Sequence, residues 1–276
     1  MEDSMPYNWI KSEDYSMDTF LLFDRWAIRY IMAENKWYNN GTRNYISDMA
    51  KALSRYPYVI TFCKRKAPEC TEFLNKVIRV SVKDISEEEA RNAEIAILSA
   101  LETFVVYAYP EVMEQVNYIR NWNQQLLYNL VDFNEKIVLD VGSGTGRLAF
   151  AAAKRAKRVY ASEPCDVLRE YMRDKIKNNH ISNMKVLDGE VTNLPYEDST
   201  FDVVMSGHVV GDSYDEEIAE MTRVTKNGGF IVCCNGDDEF KRKAPDNELV
   251  SRGFEFFKHE SCEGGIIYDY RKKIQK

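Results

Sequence analysis

Apolar residues recur at helical spacing through the first 130 residues of the chain. In residues 17–38, Phe20, Phe23 and Ala27 follow one another at intervals of three and four, which places their side chains on one face of an α-helix. The same reasoning, with capping and proline signals, predicts further helices at residues 42–56, 68–80, 86–109 and 111–130. This part of the chain is therefore predicted to be all-helical.

From residue 134 onward, short apolar runs alternate with amphipathic stretches. Strands are predicted at residues 137–141, 158–162, 184–187, 201–206, 230–234, 254–259 and 266–272, and helices at 147–156, 165–178 and 215–224. Alternating strands and helices predict a parallel sheet covered by helices on both faces. The last two strands flank Gly264-Gly265 and are expected to pair antiparallel.

The change of pattern predicts two regions, a helical cap or substrate region at residues 1–130 and an α/β domain at 131–276. The α/β part is short after its fifth strand and leaves no room there for a substrate-binding insertion. Substrate selection is therefore expected to depend on the N-terminal helices and on the loop that follows Ser206.

Composition narrows the possible partners. The chain has 276 residues, 29% of them charged, and a formal net charge of −7. Neither half is basic, so nucleic acid is not expected as a partner. No apolar run approaches the ~18 residues that span a bilayer, and no signal-peptide order opens the chain, so a cytoplasmic location is expected. Histidine and cysteine spacing predicts no metal site.

The strongest chemical signal is a glycine-rich turn after the first predicted strand. The sequence Val138-Leu-Asp-Val-Gly-Ser-Gly-Thr-Gly146 has glycines spaced G-x-G-x-G, whereas a dinucleotide fingerprint requires G-x-G-x-x-G. Arg147 occupies the third fingerprint position, and no Gly-Lys-Ser/Thr follows as in a phosphate-binding loop. Asp140 would repel a pyrophosphate but suits a cationic ammonium; alternatively, it caps the following helix.

Val138–Gly146 resembles motif I of the class I S-adenosylmethionine (SAM)-dependent methyltransferases, close to the ubiquinone/menaquinone-biosynthesis-like group. The resemblance extends over about residues 134–234 and includes Phe201–Ser206 and Arg223–Phe230. It implies a seven-stranded Rossmann-like sheet of order 3-2-1-4-5-7-6 with the last strand antiparallel. It also implies SAM as methyl donor and S-adenosylhomocysteine (SAH) as product. Residues 1–110 resemble no family that we recognise.

The resemblance also implies roles for individual residues. An acid at Glu163 takes the two ribose hydroxyls, since a carboxylate can accept two parallel hydrogen bonds. Glu190 accepts from the adenine amino group and Val191 offers its backbone N–H, with Asp188 as the alternative acceptor. The predicted cofactor-binding residues are Asp140, Gly142, Ser143, Gly144, Gly146, Glu163, Gly189, Glu190, Val191, Ser206 and Gly207.

Candidates for the methyl-transfer step itself are fewer. His208 follows the fourth strand and is the candidate general base or substrate ligand, because a neutral imidazole accepts a proton near pH 7; a structural loop histidine is the alternative. Asp212 is a second candidate base. Trp122 is a candidate for lining the substrate site, with core packing as its alternative role.

These observations predict a SAM-dependent methyltransferase that acts on a small-molecule acceptor. Three alternatives stay open: a non-catalytic SAM-binding or regulatory protein, a protein or nucleic-acid methyltransferase, and a dinucleotide oxidoreductase, which the Arg147 position disfavours. Enzymes that methylate amino groups of DNA or glutamine have an Asn/Asp-Pro-Pro-Tyr/Phe tetrad after the fourth strand. No such tetrad follows Ser206, which argues against these two classes of enzyme. The atom methylated and the oligomeric state do not follow from the sequence.

Overall fold

Short helices make up most of the described residues in the first part of the chain. The structure, a computed structural model, describes residues 10–33, 38–39, 42–80, 84–235, 243–260 and 265–276. The chain divides into two compact units, Met1–Met113 and Glu114–Lys276. No helix in these ranges combines the length and apolar character that a bilayer crossing requires; the cytoplasmic location stays a prediction.

The first unit is helical in its described residues. Its 3₁₀ helices are Ser12–Asp14, Met17–Leu22 and Pro68–Cys70, and its α-helices are α1 (Arg25–Ile31), α2 (Tyr45–Leu53), α3 (Pro57–Lys66), α4 (Thr71–Arg79), α5 (Glu87–Ala100), α6 (Glu102–Ala108) and α7 (Pro110–Met113). Fully buried side chains from these helices, among them Phe20, Ile31, Met49 and Leu74, form its core.

Local capping divides the predicted helix 17–38. Asp24 accepts a hydrogen bond from the Ala27 backbone N–H at 2.8 Å and so begins α1, as an N-cap aspartate does. The preceding residues form the 3₁₀ helix Met17–Leu22 instead. Residues 34–37 of the predicted helix lie outside the described part of the chain.

Two further differences from the predicted helices are explained by a proline and an asparagine. Pro57 begins α3, which sequence analysis missed, because proline at the first helical position lacks only an N–H that the helix does not use. Asn44, and not Thr42, caps α2 by accepting from the Ser47 N–H at 2.9 Å.

The longer predicted helices are interrupted. The capping box of Ser86 and Glu89 is present as predicted, but Leu101, with φ −105° and ψ 17°, separates α5 from α6. The predicted helix 111–130 is replaced by α7, α8 (Asn117–Arg120) and α9 (Gln125–Leu130). The Asn123 side chain accepts from the Gln125 N–H, a local bond that competes with a continuous helix.

The second unit contains the predicted sheet. Its strands are β1 (Ile137–Val141), β2 (Arg158–Ser162), β3 (Met184–Leu187), β4 (Phe201–Ser206), β5 (Thr225–Cys233), β6 (Glu255–Glu260) and β7 (Ile266–Lys273), and its remaining helices are α10 (Arg147–Ala153), α11 (Asp166–Asn178), α12 (Tyr214–Val224) and α13 (Asn247–Ser251). The strand order is 3-2-1-4-5-7-6, with β7 antiparallel to both neighbours. The predicted fold class is confirmed.

The register of the parallel strands aligns their carboxyl ends. Val141 at the end of β1 pairs with Ser162 of β2 and with Ser206 of β4, and Ser162 pairs with Leu187 of β3. The residues that follow these four strands therefore lie along one edge of the sheet, where ligands of such sheets bind. β5 begins five residues earlier than predicted, at Thr225.

Candidate functional site

The glycine turn after β1 has the backbone that only glycine adopts without strain. Gly142, Gly144 and Gly146 have φ of +62°, +57° and +95°, in the left-handed region. A Cβ on Gly142 would lie 2.4 Å from Cγ2 of Val209, so the turn also requires the missing side chain. The hydroxyl of Ser143 donates to the Asp140 carbonyl at 2.9 Å and closes the turn.

Glu163 connects the end of β2 to the glycine turn. Its carboxyl group accepts from the Gly144 N–H at 2.9 Å and from the Cys165 N–H at 3.0 Å, and the residue is only 3% exposed. Two N–H donors fix this carboxylate beside a glycine backbone. An acid in that position is oriented to accept from a vicinal diol, which fits the ribose role predicted for it.

Asp140 lies beneath the turn and is 1% exposed. Its Oδ2 accepts from the Ala149 N–H of α10 at 3.1 Å, the contact expected if it caps that helix. Burial raises its pKa to about 7, although Ser143 and the positive charge of Arg147 act in the opposite direction. The carboxyl group therefore ionises at a higher pH than an exposed aspartate does, and its role toward an ammonium group stays a prediction.

Titration separates the two roles of Asp140. If the carboxylate receives the SAM ammonium, SAH affinity should rise between pH 6 and pH 8 as Asp140 ionises, and Asp140→Asn should remove most of that rise. In either role, protonation of Asp140 also affects the stability of the fold. Because its pKa is raised on folding, its contribution to stability is fully present at a pH below the unfolded pKa of 3.8 and is lost as the pH rises through about 7. Calorimetric titration at three pH values checks this; a pH-independent wild-type affinity would leave only the capping role.

The segment after β3 lies next to Glu163. The Glu163 N–H donates to the Leu187 carbonyl at 3.1 Å, and a Cβ on Gly189 would lie 2.4 Å from the Ser162 hydroxyl. Glu190 forms an isolated bridge with Asn193, and Val191 packs on the adjacent core. Asp188 pairs with Arg169 at 3.1 Å. The structure therefore brings these predicted adenine-binding residues to the same edge, and their individual roles stay predictions.

The turn after β4 adds a third side to the site. Ser206 is buried, and its carbonyl accepts from the Cys234 N–H at 2.8 Å. His208 is exposed, with a left-handed φ of +59°, an uncommon conformation for a non-glycine residue. Its ring lies 5.2 Å from the ring of Tyr118, edge to face. This position places His208 directly after β4, at the sheet edge.

An acidic segment continues from that turn. Glu217 is 2% exposed and accepts from the backbone N–H groups of Gly211 and Ser213 at 2.9 and 3.0 Å, which fixes the turn at the start of α12. Asp212 and Glu216 are exposed. The loop beyond β4 and the first turn of α12 therefore present negative charge, the complement of a basic substrate group.

Arg147, which sequence analysis did not include among the candidate site residues, also lies at this edge of the sheet. Its guanidinium donates to the carbonyls of Cys234 and Asn235 at 2.9 and 3.3 Å. It also lies 4.8 Å from the ring centroid of Trp122 and 5.7 Å from that of Tyr118. The only sequence signal was a long cationic side chain where a small residue is usual.

The arrangement fits SAM in its charges and its shape. A glycine backbone that a Cβ would obstruct and a buried carboxylate beside it suit the glycine-loop and ribose contacts predicted for a phosphate-free cofactor. The buried Asp140 beneath the turn adds a negative charge, the sign that an ammonium group requires. Trp122 belongs to the same unit and packs partly on its core, so both of its predicted roles remain open.

Comparison with known proteins defines the class. Residues 139–233 match the family model described as the methyltransferase domain. A candidate SAM-dependent methyltransferase from Methanococcus maripaludis has a similar fold, with a TM-score of 0.50 and 17% identity over 62% of this chain and 94% of that chain. Residues 139–233 thus belong to a class I SAM-dependent methyltransferase domain, and SAM is its cofactor.

Sequence relatives correct the predicted partner. The chain is 28% identical over 162 residues to the probable histone-arginine methyltransferase CARMER of Drosophila melanogaster, covering 56% of this chain and 30% of that protein. It is 26% identical over 182 residues to CARMER of Drosophila persimilis, covering 62% and 34%. The chain thus spans about a third of the length of these relatives. Because they are named for a protein substrate, the small-molecule acceptor predicted from the sequence is wrong.

Proposed function

We propose that this chain transfers the methyl group of SAM to a basic side chain of a protein. The observation that favours this acceptor is the acidic segment after β4. Asp212 of the loop and Glu216 of the first turn of α12 are exposed, and Glu217 fixes the loop. A lysine or arginine side chain is attracted to such a surface. The names of the sequence relatives support the same class of acceptor.

The residues of this chain have separate roles in the proposed reaction. The glycine turn and Glu163 orient the cofactor, which supplies a methyl carbon made electrophilic by the neighbouring sulfonium. His208 is the candidate to take the proton that the acceptor nitrogen loses, because its exposed ring follows β4 at the sheet edge. Orientation of the two reactants alone is able to contribute about 7–11 kcal/mol to such a transfer.

Label transfer tests the proposal. The chain is incubated with methyl-labelled SAM and purified core histones, and the protein is then hydrolysed and analysed for methylated arginine and lysine. We expect label in one of these amino acids, and a loss of most of the label with His208→Asn if its imidazole accepts the proton.

The acceptor class and SAM binding are measured separately. An acidic protein of similar size serves as the control acceptor and should stay unlabelled. If the chain binds SAH but labels neither basic nor acidic protein, the proposal is wrong, and a non-catalytic SAM-binding protein becomes the better description.

A further inference from the structure

His208 belongs to a closed cycle of contacts between four segments of the second unit. Its imidazole lies 5.2 Å from the ring of Tyr118, and its backbone N–H donates to the Asn235 side chain at 3.4 Å. The Arg147 guanidinium donates to the Asn235 carbonyl at 3.3 Å, and its carbon lies 5.7 Å from the Tyr118 ring centroid. Each of these four residues therefore contacts two of the others.

The backbone of His208 requires this support. Its φ of +59° is uncommon for a residue with a side chain, and such conformations persist where neighbouring groups hold them, often at functional sites. Gly207, directly before it, allows the guanidinium to approach, since a Cβ there would lie 2.6 Å from Nη2 of Arg147. The bond to Asn235 thus fixes the His208 backbone, and the ring of Tyr118 contacts its side chain.

Tyr118 depends on Arg147 for its own position. It lies on α8, a four-residue helix without a buried residue, so core packing does not fix it. The Arg147 guanidinium is fixed, because it donates to the Cys234 carbonyl at 2.9 Å as well as to that of Asn235. A guanidinium stacks on aromatic rings, and this one lies close to both Tyr118 and Trp122. The end of β5 therefore supports Tyr118 through Arg147.

We propose that Tyr118 is a positioning residue for His208, an inference that rests on the proposed function. Edge-to-face contact is a preferred arrangement of two aromatic rings, and it limits the rotamers that the imidazole of a loop histidine adopts. A general base must lie within hydrogen-bond reach of the proton that it removes. By restricting the imidazole, Tyr118 keeps the proton-accepting nitrogen in one place, and it acts through His208 and not through the cofactor.

Double-variant kinetics test this role. Label transfer from SAM to core histones is measured at saturating SAM for Tyr118→Leu and Tyr118→Phe, alone and combined with His208→Asn. Tyr118→Leu removes the ring and should lower kcat roughly twofold to tenfold, whereas Tyr118→Phe keeps the ring and should stay close to the wild type. In the His208→Asn chain, Tyr118→Leu should lower kcat no further. An equal loss in both backgrounds would show that Tyr118 acts independently of His208 and would overturn the inference.

Tyr171→Leu is the matched control. Tyr171 of α11 is half-buried, and its ring also lies near a cation, with its centroid 5.4 Å from Nζ of Lys175. This variant should keep the wild-type kcat. A loss equal to that of Tyr118→Leu would show a general effect of lost aromatic packing and would contradict a specific role for Tyr118.

The imidazole signals in NMR spectra test the contact without activity. The chain has three histidines, His180, His208 and His259, and the signal missing from His208→Asn identifies His208. Tyr118→Leu removes a ring current and should shift the His208 ring protons, while the other two histidines stay unchanged. Unchanged His208 signals would overturn the inference even if the variant is less active. If the wild-type chain labels no protein, the proposed function fails and the role of Tyr118 in proton transfer fails with it, whereas a shifted His208 signal would still show the contact.

Discussion

Replacing Glu163 by glutamine is expected to lower SAH affinity roughly tenfold to a hundredfold. The carboxylate is buried and accepts from the N–H groups of Gly144 and Cys165. Glutamine offers one oxygen, so one of these donors would face an NH₂ group, and the ribose would lose a charged acceptor. A hydrogen bond to a charged group contributes about 1.5–3 kcal/mol. Calorimetric titration with SAH measures the change.

Glu170→Gln is the matched control for that variant. Glu170 lies on the neighbouring helix α11, its side chain is 69% exposed and it pairs with Arg173, so its neutralisation should leave SAH affinity within about twofold. Thermal unfolding of both variants separates a loss of binding from a loss of folding. A Glu163→Gln protein that is folded and binds SAH as the wild type does would contradict the ribose role.

Gly142→Ala is expected to destabilise the domain and to remove SAH binding together. Alanine at a φ of +62° costs about 1–2 kcal/mol of backbone strain. Its Cβ would also lie 2.4 Å from Cγ2 of Val209, a distance that the turns after β1 and β4 relieve only by moving apart. We therefore expect a decrease in the free energy of unfolding greater than the strain alone, measured by chemical denaturation.

Gly228→Ala isolates the contribution of strain. Gly228 has a φ of +79°, and nothing lies within 4 Å of a Cβ placed there. This control should lose about 1–2 kcal/mol of stability and keep the wild-type SAH affinity. Similar losses in the two variants would show that Val209 yields easily and that the close approach does not position the turn.

The sheet could be predicted in detail because its strands are short, buried and apolar. The bounds of β1, β2, β3 and β4 agree with the prediction residue for residue. The start of β5 was missed because Thr225–Gly229 includes Lys226, Asn227 and two glycines, a composition typical of a turn. In the first unit, helix bounds depend on side-chain caps such as Asp24 and on a proline that begins α3, and periodicity does not report either.

The site could be predicted where its residues directly follow strands. Glu163 and the glycine turn come together because β1 and β2 are parallel and in register, a consequence of the fold alone. Arg147 could not be predicted in the same way, since its partners, the Cys234 and Asn235 carbonyls, lie more than 80 positions later in the chain. The fit of its guanidinium against Gly207 depends on packing between β4 and α10.

Close packing of glycines against side chains also limits how this sequence can change over time. A side chain at position 142 would meet Val209 and one at position 207 would meet Arg147, so each requires at least a smaller residue at the opposing position. The two residues of these pairs lie 67 and 60 positions apart along the chain. In natural variants of this sequence, the two residues of a pair should therefore change together. Functional variants in which only one residue of a pair has changed should be rare.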